Sequence, residues 1–511
     1  MEYAPGFERF AQLAASTDYV PVFRRLLSDA LTPVQAFQRI DTSDAACLFE
    51  SVIGGEKVGR YSFLASDPFK WIKAYGNQVT IAAKSSTEYV NPKGSTGWEL
   101  ETFVAENPFE VLRELVDAMR VAHPEELPPF IGGAIGYAGY DTVRYVEMLP
   151  NAPEDDRQLP DLWFALFDTL VVFDHVQKTV IVLALANVFD KDVIALRQAY
   201  EMAIERVDSI VRQLESRDEL LRLADIRTEG ECSLNYTSNV TQSQYEESVR
   251  KCVEYIRAGD IFQVVISQRL EVSFNAPPFE LYRTLRVVNP SPFMFYLRTH
   301  DVTLVGSSPE IMVRVVKGKV TVRPLAGTRK RGRTEEEDQA LADELLADPK
   351  ECAEHVMLVD LGRNDVGRVA QYGSVEISDV MVIERYSHVM HITSNVTGQL
   401  RENCDSFDAL AACLPAGTVS GAPKVRAMEI IDEIESTRRG PYAGAVGYID
   451  FAGNMDTCIA LRTVVVHDGK AYIQAGAGIV ADSVPETEYQ ETLNKAQGLL
   501  KAIEITQQRL R

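Results

Sequence analysis

Residues 444–478 have the sequence GAVGYIDFAGNMDTCIALRTVVVHDGKAYIQAGAG, and this stretch decides the fold class. Apolar, strand-forming runs alternate with the two-residue turn signals Gly453-Asn454 and Asp468-Gly469, which favour tight hairpins. We therefore expect an antiparallel meander with strands at 444–451, 457–467 and 470–474. It ends in a loop of small residues, Gly476-Ala477-Gly478.

A second hairpin precedes this meander along the chain. Strand-like runs at 311–316 and 319–323 are joined by Lys317-Gly318, and a second loop of small residues, Ala326-Gly327-Thr328, follows them. Loops without bulky side chains leave backbone N–H groups accessible to a carboxylate or phosphate. For either loop taken alone, a tight bend without function is the simpler explanation.

The composition is that of a large globular protein. The chain has 511 residues, a length that suits roughly two or three domains. Of these residues, 46% are hydrophobic, which is enough for a large buried core. Its 74 acidic residues exceed its 52 Lys and Arg, giving a net charge of −22, which argues against nucleic-acid or anionic-membrane partners. An anionic substrate would need local positive charge inside this acidic shell. The longest apolar region, 162–188, contains charged residues and predicts two short strands, not a membrane span.

The seven cysteines are scattered and include no C-x-x-C pair, which predicts reduced thiols. With no visible targeting peptide at the N-terminus, we expect a cytoplasmic protein. A polar stretch at 228–244 predicts a boundary between two parts of the chain. We place an N-terminal region at 1–225 and a catalytic region at 243–505.

Two helices carry paired carboxylates. The segment 348–351 (Asp-Pro-Lys-Glu) predicts a capped helix start that places Glu351 and Glu354 on one face, and a helix beginning near Pro485 carries Glu488 and Glu491 at the same spacing. All-oxygen ligation of this kind suits Mg²⁺ or Mn²⁺ better than zinc. On spacing alone, two solvated helix faces are the simpler explanation.

Three further features are ambiguous by themselves. His391 lies in a strand-like run, where a core histidine is common. Arg462 lies among apolar residues and predicts a buried partner, which a structural carboxylate would satisfy. The segment 414–424 is rich in Gly and Pro but does not match the spacing of a nucleotide-binding P-loop, so we exclude that function.

Taken together, five segments resemble the chorismate-utilising enzymes, and most closely the anthranilate synthase component I family. They are PLAGTRKRG at 324–332, ECAEHVMLVDLGRND at 351–365, AGTVSGAPK at 416–424, YAGAVGY at 442–448 and AGAGIVADS at 475–483. The resemblance covers about 243–505. We expect an α+β fold, with antiparallel β-sheets packed as a sandwich surrounded by helices and the active site in the cleft between them.

The resemblance implies chorismate as substrate and Mg²⁺ as cofactor. It makes Glu354 and Glu491 the metal ligands, with Glu351 and Glu488 close by through water, and it makes His391 and Thr418 active-site residues. It also implies a set of substrate-binding residues, of which Tyr442 and Arg462 would lie near the enolpyruvyl carboxylate. This set is Gly327, Thr328, Tyr442, Arg462, Gly476, Ala477 and Gly478.

Two positions bear on the reaction. Related enzymes that add water to chorismate resemble this chain but have a lysine base where it has Gln263, so ammonia is the favoured nucleophile. Aminodeoxychorismate synthases have a lysine nucleophile where it has Ala326, so anthranilate is the favoured product and aminodeoxychorismate synthase component I the alternative. The implied lyase reaction adds ammonia at C2, removes the C4 hydroxyl and eliminates pyruvate, as the first step of tryptophan biosynthesis.

Regulation and partners also follow from the resemblance. The run Leu48-Phe49-Glu50-Ser51 is similar to a segment that forms a tryptophan feedback site together with residues 289–294, although Phe49 replaces the usual leucine. L-tryptophan would contact four residues of these segments, Ser51, Pro290, Ser291 and Pro292. The chain has no glutamine amidotransferase signature, which implies a separate glutamine amidotransferase subunit in a hetero-oligomer. The non-enzyme alternative is an inactive relative that only senses tryptophan.

Overall fold

Two large antiparallel sheets form the centre of the molecule, and helices cover them. The computed structural model describes residues 2–50, 59–84, 97–216, 225–386 and 389–509. The helices are α1 (Phe7–Ala14), α2 (Pro33–Ile40), α3 (Pro108–Asp117), α4 (Val193–Glu215), α5 (Gln242–Ala258), α6 (Pro278–Val288), α7 (Glu335–Ala347), α8 (Pro349–Gly367), α9 (Ser406–Cys413), α10 (Lys424–Ile434) and α11 (Pro485–Arg509). Short 3₁₀ turns lie at Tyr140–Tyr145 and Gly417–Val419.

The strands of the first half are β1 (Tyr19–Leu27), β2 (Ala46–Glu50), β3 (Tyr61–Ser66), β4 (Lys70–Tyr75), β5 (Gln78–Lys84), β6 (Trp98–Val104), β7 (Gly133–Ala138), β8 (Leu162–Phe167), β9 (Thr169–Asp174), β10 (Thr179–Asn187) and β11 (Thr237–Ser238). Those of the second half are β12 (Gln263–Ser273), β13 (Phe293–Arg298), β14 (Thr303–Ser308), β15 (Ile311–Val316), β16 (Lys319–Val322), β17 (Leu325–Lys330), β18 (Glu376–Arg385), β19 (Val389–Gln399), β20 (Gly421–Ala422), β21 (Ala445–Asp450), β22 (Met455–Ile459), β23 (Thr463–His467) and β24 (Lys470–Ile479).

Both sheets mix strands from the two halves of the chain. One has the order β1-β10-β9-β3-β2-β13-β14-β23-β24-β12-β11, with β20 beside β12, and the other has the order β17-β19-β16-β15-β22-β21-β7-β8-β4-β5-β6, with β18 beside β19. The halves meet at β2 against β13, where Glu50 pairs with Met294, and at β7 against β21, where Gly136 pairs with Gly447. The predicted boundary at 225–243 therefore stays a prediction. Strands from both sides of it contribute to each of the two sheets.

The layers are helix, sheet, sheet, helix, which confirms the expected α+β sandwich. The inter-sheet layer contains large buried side chains from both sheets, among them Phe63, Trp163 and Leu297. Two further clusters fill the outer faces, one beneath α2, α4, α6 and α11 and the other beneath α3, α5, α9 and α10. Burial on both faces explains why most central strands are apolar throughout instead of alternating. No helix in the described residues is long and apolar enough to cross a membrane.

The hairpins were predicted well, but the meander was wrong in two respects. Gly476-Ala477-Gly478 is not a loop, because it belongs to β24 and pairs with β12. The turns at Lys317-Gly318 and Asp468-Gly469 have positive φ at both residues, as two-residue hairpin loops require. The predicted strand at 457–467, however, is two strands, because β22 lies in one sheet and β23 in the other. The chain crosses between the sheets at residues 460–462, where Arg462 has φ +47°. Arg462 is thus at a crossover and not in the middle of a strand. The region 162–188 likewise contains three strands, not two.

Candidate active site

A cleft of about 800 Å³ brings together almost all of the predicted site residues. Strands β12, β17, β19 and β24, helices α8 and α11, and the crossover at Arg462 form its walls. The predicted residues in the lining are Gln263, Pro290, Ser291, Pro292, Gly327, Thr328, Glu351, Glu354, His391, Thr418, Tyr442, Arg462, Gly476, Gly478, Glu488 and Glu491. A second cavity, of about 880 Å³, lies near residues 42–45 and 64–69 and contains none of them.

Two glycines on β24 allow the strand to form the floor of the cleft. A Cβ atom on Gly478 would lie 2.4 Å from the Gln263 amide nitrogen, and one on Gly476 would lie 3.0 Å from the Tyr442 hydroxyl. Side chains at these positions would therefore fill the floor of the cleft. Ala477 alternates to the other face of the strand, where its side chain is fully buried in the core. Ala477 is therefore not part of the cleft lining, and it pairs with Ile266 on β12.

The third predicted glycine, Gly327, has φ +64°, a conformation that favours glycine. It interrupts the pairing of β17 with β19 between Ala326 and Arg329. This irregularity turns the backbone of Gly327 and Thr328 toward the cleft. The segment predicted to be a loop is therefore an irregular part of β17, and it lines the cleft.

Arg462 supplies the positive charge that the sequence analysis required. Its side chain is largely buried in the cleft wall, and within the described residues no carboxylate pairs with it. Burial lowers the pKa of the Arg462 guanidinium, with a small opposing effect from Tyr386, yet an arginine stays charged in proteins. An unpaired buried cation is costly unless an anion joins it. The carboxylate partner that would give Arg462 a purely structural role is thus absent from the described residues, and the guanidinium faces the cleft.

His391 is buried on β19 with a defined proton position. Its Nδ1 lies 2.7 Å from the carbonyl oxygen of Gly327 and 3.1 Å from the Thr328 hydroxyl. A carbonyl only accepts, so Nδ1 carries the hydrogen and Nε2 keeps a free lone pair. Burial lowers the pKa of His391 to about 4. The hydrogen bond to Gly327 opposes this shift, and the positive charge of Arg462 lowers the pKa further. The neutral ring is therefore the form present near pH 7, with Nε2 able to accept a proton.

Glu310, which the sequence analysis missed, also lines the cleft. It lies between β14 and β15 and is only 6% exposed. Burial raises the pKa of Glu310 to about 8, although the Thr418 hydroxyl and the Leu325 backbone N–H both favour its charged form. The carboxyl group is thus mostly protonated near pH 7 and can donate a proton. The available signal was an acidic residue directly before the mostly apolar strand Ile311–Val316.

The four predicted metal-site carboxylates lie on α8 and α11. Asp348 caps α8 by accepting hydrogen bonds from the Lys350 and Glu351 backbone N–H groups, as predicted. Burial raises the pKa of Glu354, and the nearby Glu351 and Glu491 carboxylates raise it further. Such mutual destabilisation of negative charge is what a bound cation relieves.

These carboxylates already have partners. Glu491 pairs with Lys495 at 2.7 Å, and Glu351 pairs with Arg329 at 3.2 Å. Within the described residues, no three His, Cys, Asp or Glu side chains are arranged to hold a metal ion by themselves. A Mg²⁺ site does not need such a group, because Mg²⁺ commonly uses one or two carboxylates together with water and an anionic substrate.

Gln263 connects the acidic side of the cleft to β24. Its side-chain nitrogen donates to Glu354 Oε1 at 3.3 Å, while its carbonyl oxygen is buried and has no hydrogen-bond partner in the part of the chain that the structure describes. A buried acceptor of this kind is favourably satisfied by a ligand that carries N–H or O–H groups. Gln263 therefore provides an acceptor and no base.

The predicted tryptophan residues are only partly described. Ser51 lies outside the described residues. Glu50 beside it is buried, accepts a hydrogen bond of 2.6 Å from the Tyr282 hydroxyl and pairs with Arg286 at 2.9 Å. Ser291 donates to the Ser308 carbonyl oxygen at 2.7 Å and, with its neighbouring prolines, lies in the cleft wall.

Comparison with known proteins agrees with this geometry. The model of the family described as chorismate binding enzyme matches residues 60–501. Anthranilate synthase component 1 of Acetivibrio thermocellus is 47% identical over 506 residues, covering 98% of this chain and 99% of the relative. The chloroplastic anthranilate synthase alpha subunit 1 of Arabidopsis thaliana is 44% identical, covering 98% and 88%.

Among solved structures, anthranilate synthase component I from Streptococcus pneumoniae is 37% identical, with a TM-score of 0.74, covering 93% of this chain and 99% of that one. The similarity therefore extends over both sheets and the cleft, and is not confined to the motifs at 324–483. On these matches, the chain belongs to the chorismate-binding enzyme family, within the group formed by anthranilate synthase component 1.

Proposed function

We propose that this chain is the synthase subunit of an anthranilate synthase, which converts chorismate and ammonia to anthranilate and pyruvate. The observation that carries the proposal is the charge arrangement of the cleft. On one wall, Arg462 is a largely buried cation that pairs with no carboxylate of the described residues, and four carboxylates suited to a divalent cation lie on the helices α8 and α11. A substrate with two carboxylates complements both, one through the arginine and the other through the metal.

The residues fit a Mg²⁺ ion held by Glu354 and Glu491, with Glu351 and Glu488 close by. Bound there, Mg²⁺ supplies Lewis-acid stabilisation of the substrate's negative charge. Arg462 and the backbone of Gly476–Gly478 would hold the other carboxylate, with the Tyr442 hydroxyl beside Gly476. These donors are fixed by strand pairing of β24 with β12, so they need little reorganisation when the substrate binds.

Two residues are suited to the proton transfers. Loss of the C4 hydroxyl is assisted by a proton, which Glu310 can donate because its carboxyl group is protonated near pH 7. Aromatisation requires removal of the hydrogen at C2 as the C3 enolpyruvyl group leaves, and the free Nε2 of His391 can accept it. Burial thus keeps Glu310 protonated as the acid and His391 neutral as the base.

Gln263 supports ammonia as the nucleophile. A lysine at this place would provide a base for activating water, whereas an amide provides only an acceptor for the N–H groups of ammonia, which needs no deprotonation before it attacks. Its unpartnered carbonyl oxygen is consistent with that role.

Aminodeoxychorismate synthase is the less favoured reaction. Ala326 lies in the cleft wall, paired with Ile392, and carries no nucleophile there. An enzyme that relies on a lysine in this place for a covalent intermediate would find none.

The ammonia would come from glutamine through a separate amidotransferase subunit. The name component 1 of the relatives implies a second component, which supports a hetero-oligomer. All seven cysteines are unpaired, which supports a cytoplasmic location. For tryptophan inhibition, the support is that Pro290, Ser291 and Pro292 lie in the cleft wall, next to the strand that pairs with β2.

The test is to incubate the purified chain with chorismate, Mg²⁺ and an ammonium salt, and to identify the products by chromatography and mass spectrometry. We expect anthranilate and pyruvate in equal amounts, with no activity after chelation of the metal by EDTA and full recovery on adding Mg²⁺. Aminodeoxychorismate or isochorismate as the product would contradict the proposal. Absence of pyruvate would favour an inactive relative that only senses tryptophan.

A further inference from the structure

A fully buried ion pair lies beneath the cleft, outside the residues assigned so far. Arg439 is 2% exposed and Glu435 8% exposed. They form two parallel hydrogen bonds, from Arg439 Nε to Glu435 Oε2 at 2.9 Å and from Nη2 to Oε1 at 2.7 Å. A buried pair is weak evidence for stability, because well-packed apolar residues are often as stable. Its contacts therefore decide what it does.

The remaining donors of Arg439 reach backbone on two walls of the cleft. Nη1 donates to the Val419 carbonyl oxygen at 2.7 Å, next to Thr418, and Nη2 donates to the Val265 carbonyl oxygen at 2.8 Å, two residues after Gln263. Val419 and Val265 both line the cleft. One guanidinium thus fixes the spacing between the Thr418 turn and β12. Lysine cannot reproduce this, because it lacks the planar fork of donors.

The same guanidinium lies between two tyrosine rings. Its central carbon is 4.6 Å from the ring centroid of Tyr140 and 5.6 Å from that of Tyr442. Tyr442 is also buried, at 6% exposed. Burial raises its pKa to about 12, and the charge of Arg439 opposes this rise. The cation therefore holds the ring whose hydroxyl lies beside Gly476.

Glu435 extends the network to the floor of the cleft. Its Oε1 accepts hydrogen bonds from the Ser267 backbone N–H at 2.7 Å and from the Ser267 hydroxyl at 2.8 Å. Because that hydroxyl hydrogen is used, the oxygen of Ser267 accepts from the Gln474 side-chain amide, at 2.9 Å. Gln474 precedes Gly476 by two residues on β24, so the chain of bonds ends at the proposed carboxylate site.

We infer that Arg439 is a positioning residue, which acts with Glu435 to place Tyr442, the Thr418 turn and β24 around one carboxylate of the substrate. The inference rests on the proposed function. Arg439 itself touches no substrate, and it acts through Tyr442 and through the two carbonyl groups it binds. A purely structural pair would affect only the amount and the thermal stability of folded protein.

The test compares Arg439→Lys with Arg144→Lys. Arg144 is a matched control because it forms a similar two-bond pair with Asp432 on α10, at 2.8 and 2.9 Å, and does not line the cleft. We expect Arg439→Lys to raise KM for chorismate about tenfold or more, since small displacements of binding groups have large effects, while KM for ammonium stays within about twofold. Arg144→Lys should leave both constants as in the wild type.

A double-mutant cycle with Tyr442→Phe supplies the second readout. If Arg439 acts through Tyr442, the loss of kcat/KM in the double variant will be smaller than the product of the losses in the two single variants. In the control cycle, which combines Arg144→Lys with Tyr442→Phe, the loss in the double variant should equal the product of the two single losses. Unchanged KM for chorismate in Arg439→Lys, or purely multiplicative losses, would overturn the inference. If Arg439→Lys does not fold, Glu435→Gln is measured in its place, and failure of both to fold would also overturn it. A wild-type chain that does not convert chorismate contradicts the proposed function instead.

Discussion

At the scale of single residues, burial assigns the chemical roles in this cleft. His391 and Glu310 are both almost inaccessible, and burial favours the neutral form of each. For a histidine the neutral form is the base, and for a carboxyl group it is the acid. One physical effect therefore produces a proton acceptor and a proton donor on the walls of the same cleft.

Glu310 gives a prediction about pH. Its acid form is lost as the pH rises through its pKa of about 8, so kcat/KM for chorismate should fall above that pH when free ammonia is held constant. Glu310→Gln should lose roughly 10²- to 10⁴-fold in kcat at pH 7, the range typical of a general acid. A steady-state pH profile from 6 to 9.5 checks both. A flat profile above pH 8, or a glutamine variant with wild-type turnover, would remove Glu310 from the mechanism.

His391 gives a prediction about turnover. His391→Ala should lower kcat by roughly 10²-fold or more, and it should change KM for chorismate and the Mg²⁺ requirement much less, because the ring acts on a proton and not on a carboxylate. Because its pKa is about 4, protonation of His391 should cause no fall in kcat between pH 8 and pH 6. His123→Ala, which alters a histidine bonded to the Pro128 carbonyl oxygen, is the control. Wild-type-like turnover in His391→Ala would exclude the role.

At the scale of elements, two strand features build the proposed anion site. The crossover between β22 and β23 places Arg462 in the cleft, and the absence of side chains at Gly476 and Gly478 on β24 leaves room for a ligand. The helices α8 and α11 add the carboxylates, with their starts fixed by Asp348 and Pro485. The site is thus assembled from ends and junctions of rigid elements, where local geometry is well defined.

The glycines of β24 yield a prediction at this scale. In Gly478→Ala the new methyl group would come within 2.4 Å of the Gln263 amide nitrogen and push it away from Glu354. Because a flexible side chain can move, we expect thermal stability close to that of the wild type but a loss of about 10- to 100-fold in kcat/KM for ammonium. Gly367→Ala, where nothing lies within 4 Å of the new atom, is the control. Equal kcat/KM in the two variants would contradict this account of Gln263.

At the scale of the whole molecule, feedback would link two sites that share a wall. Strand β2 directly precedes Ser51, a predicted tryptophan contact, and pairs with β13. The cleft-lining segment Pro290–Pro292 directly precedes β13. A ligand bound between these segments can favour one position of that wall, which is what coupling between two sites requires.

We therefore expect L-tryptophan to raise the apparent KM for chorismate, with an effect of about 5- to 150-fold, the usual range of such coupling. Ser291→Ala removes the hydrogen bond to the Ser308 carbonyl oxygen and should weaken inhibition while keeping most of the uninhibited activity. Initial rates at several tryptophan concentrations measure this. If saturating tryptophan leaves the rate unchanged, the predicted feedback site is wrong.

The sequence by itself determined the hairpins, the helix starts and the family, because turn signals, capping residues and motifs are local. It also supplied most cleft residues, but only through the resemblance; spacing alone favoured solvated helix faces and a structural histidine. Only the tertiary structure decided that no carboxylate of the described residues pairs with Arg462, that burial raises the pKa of Glu310, and that Arg439 joins two walls of the cleft. Those properties depend on contacts between residues far apart in the chain, and burial and pairing of charge are set there and not by neighbouring residues.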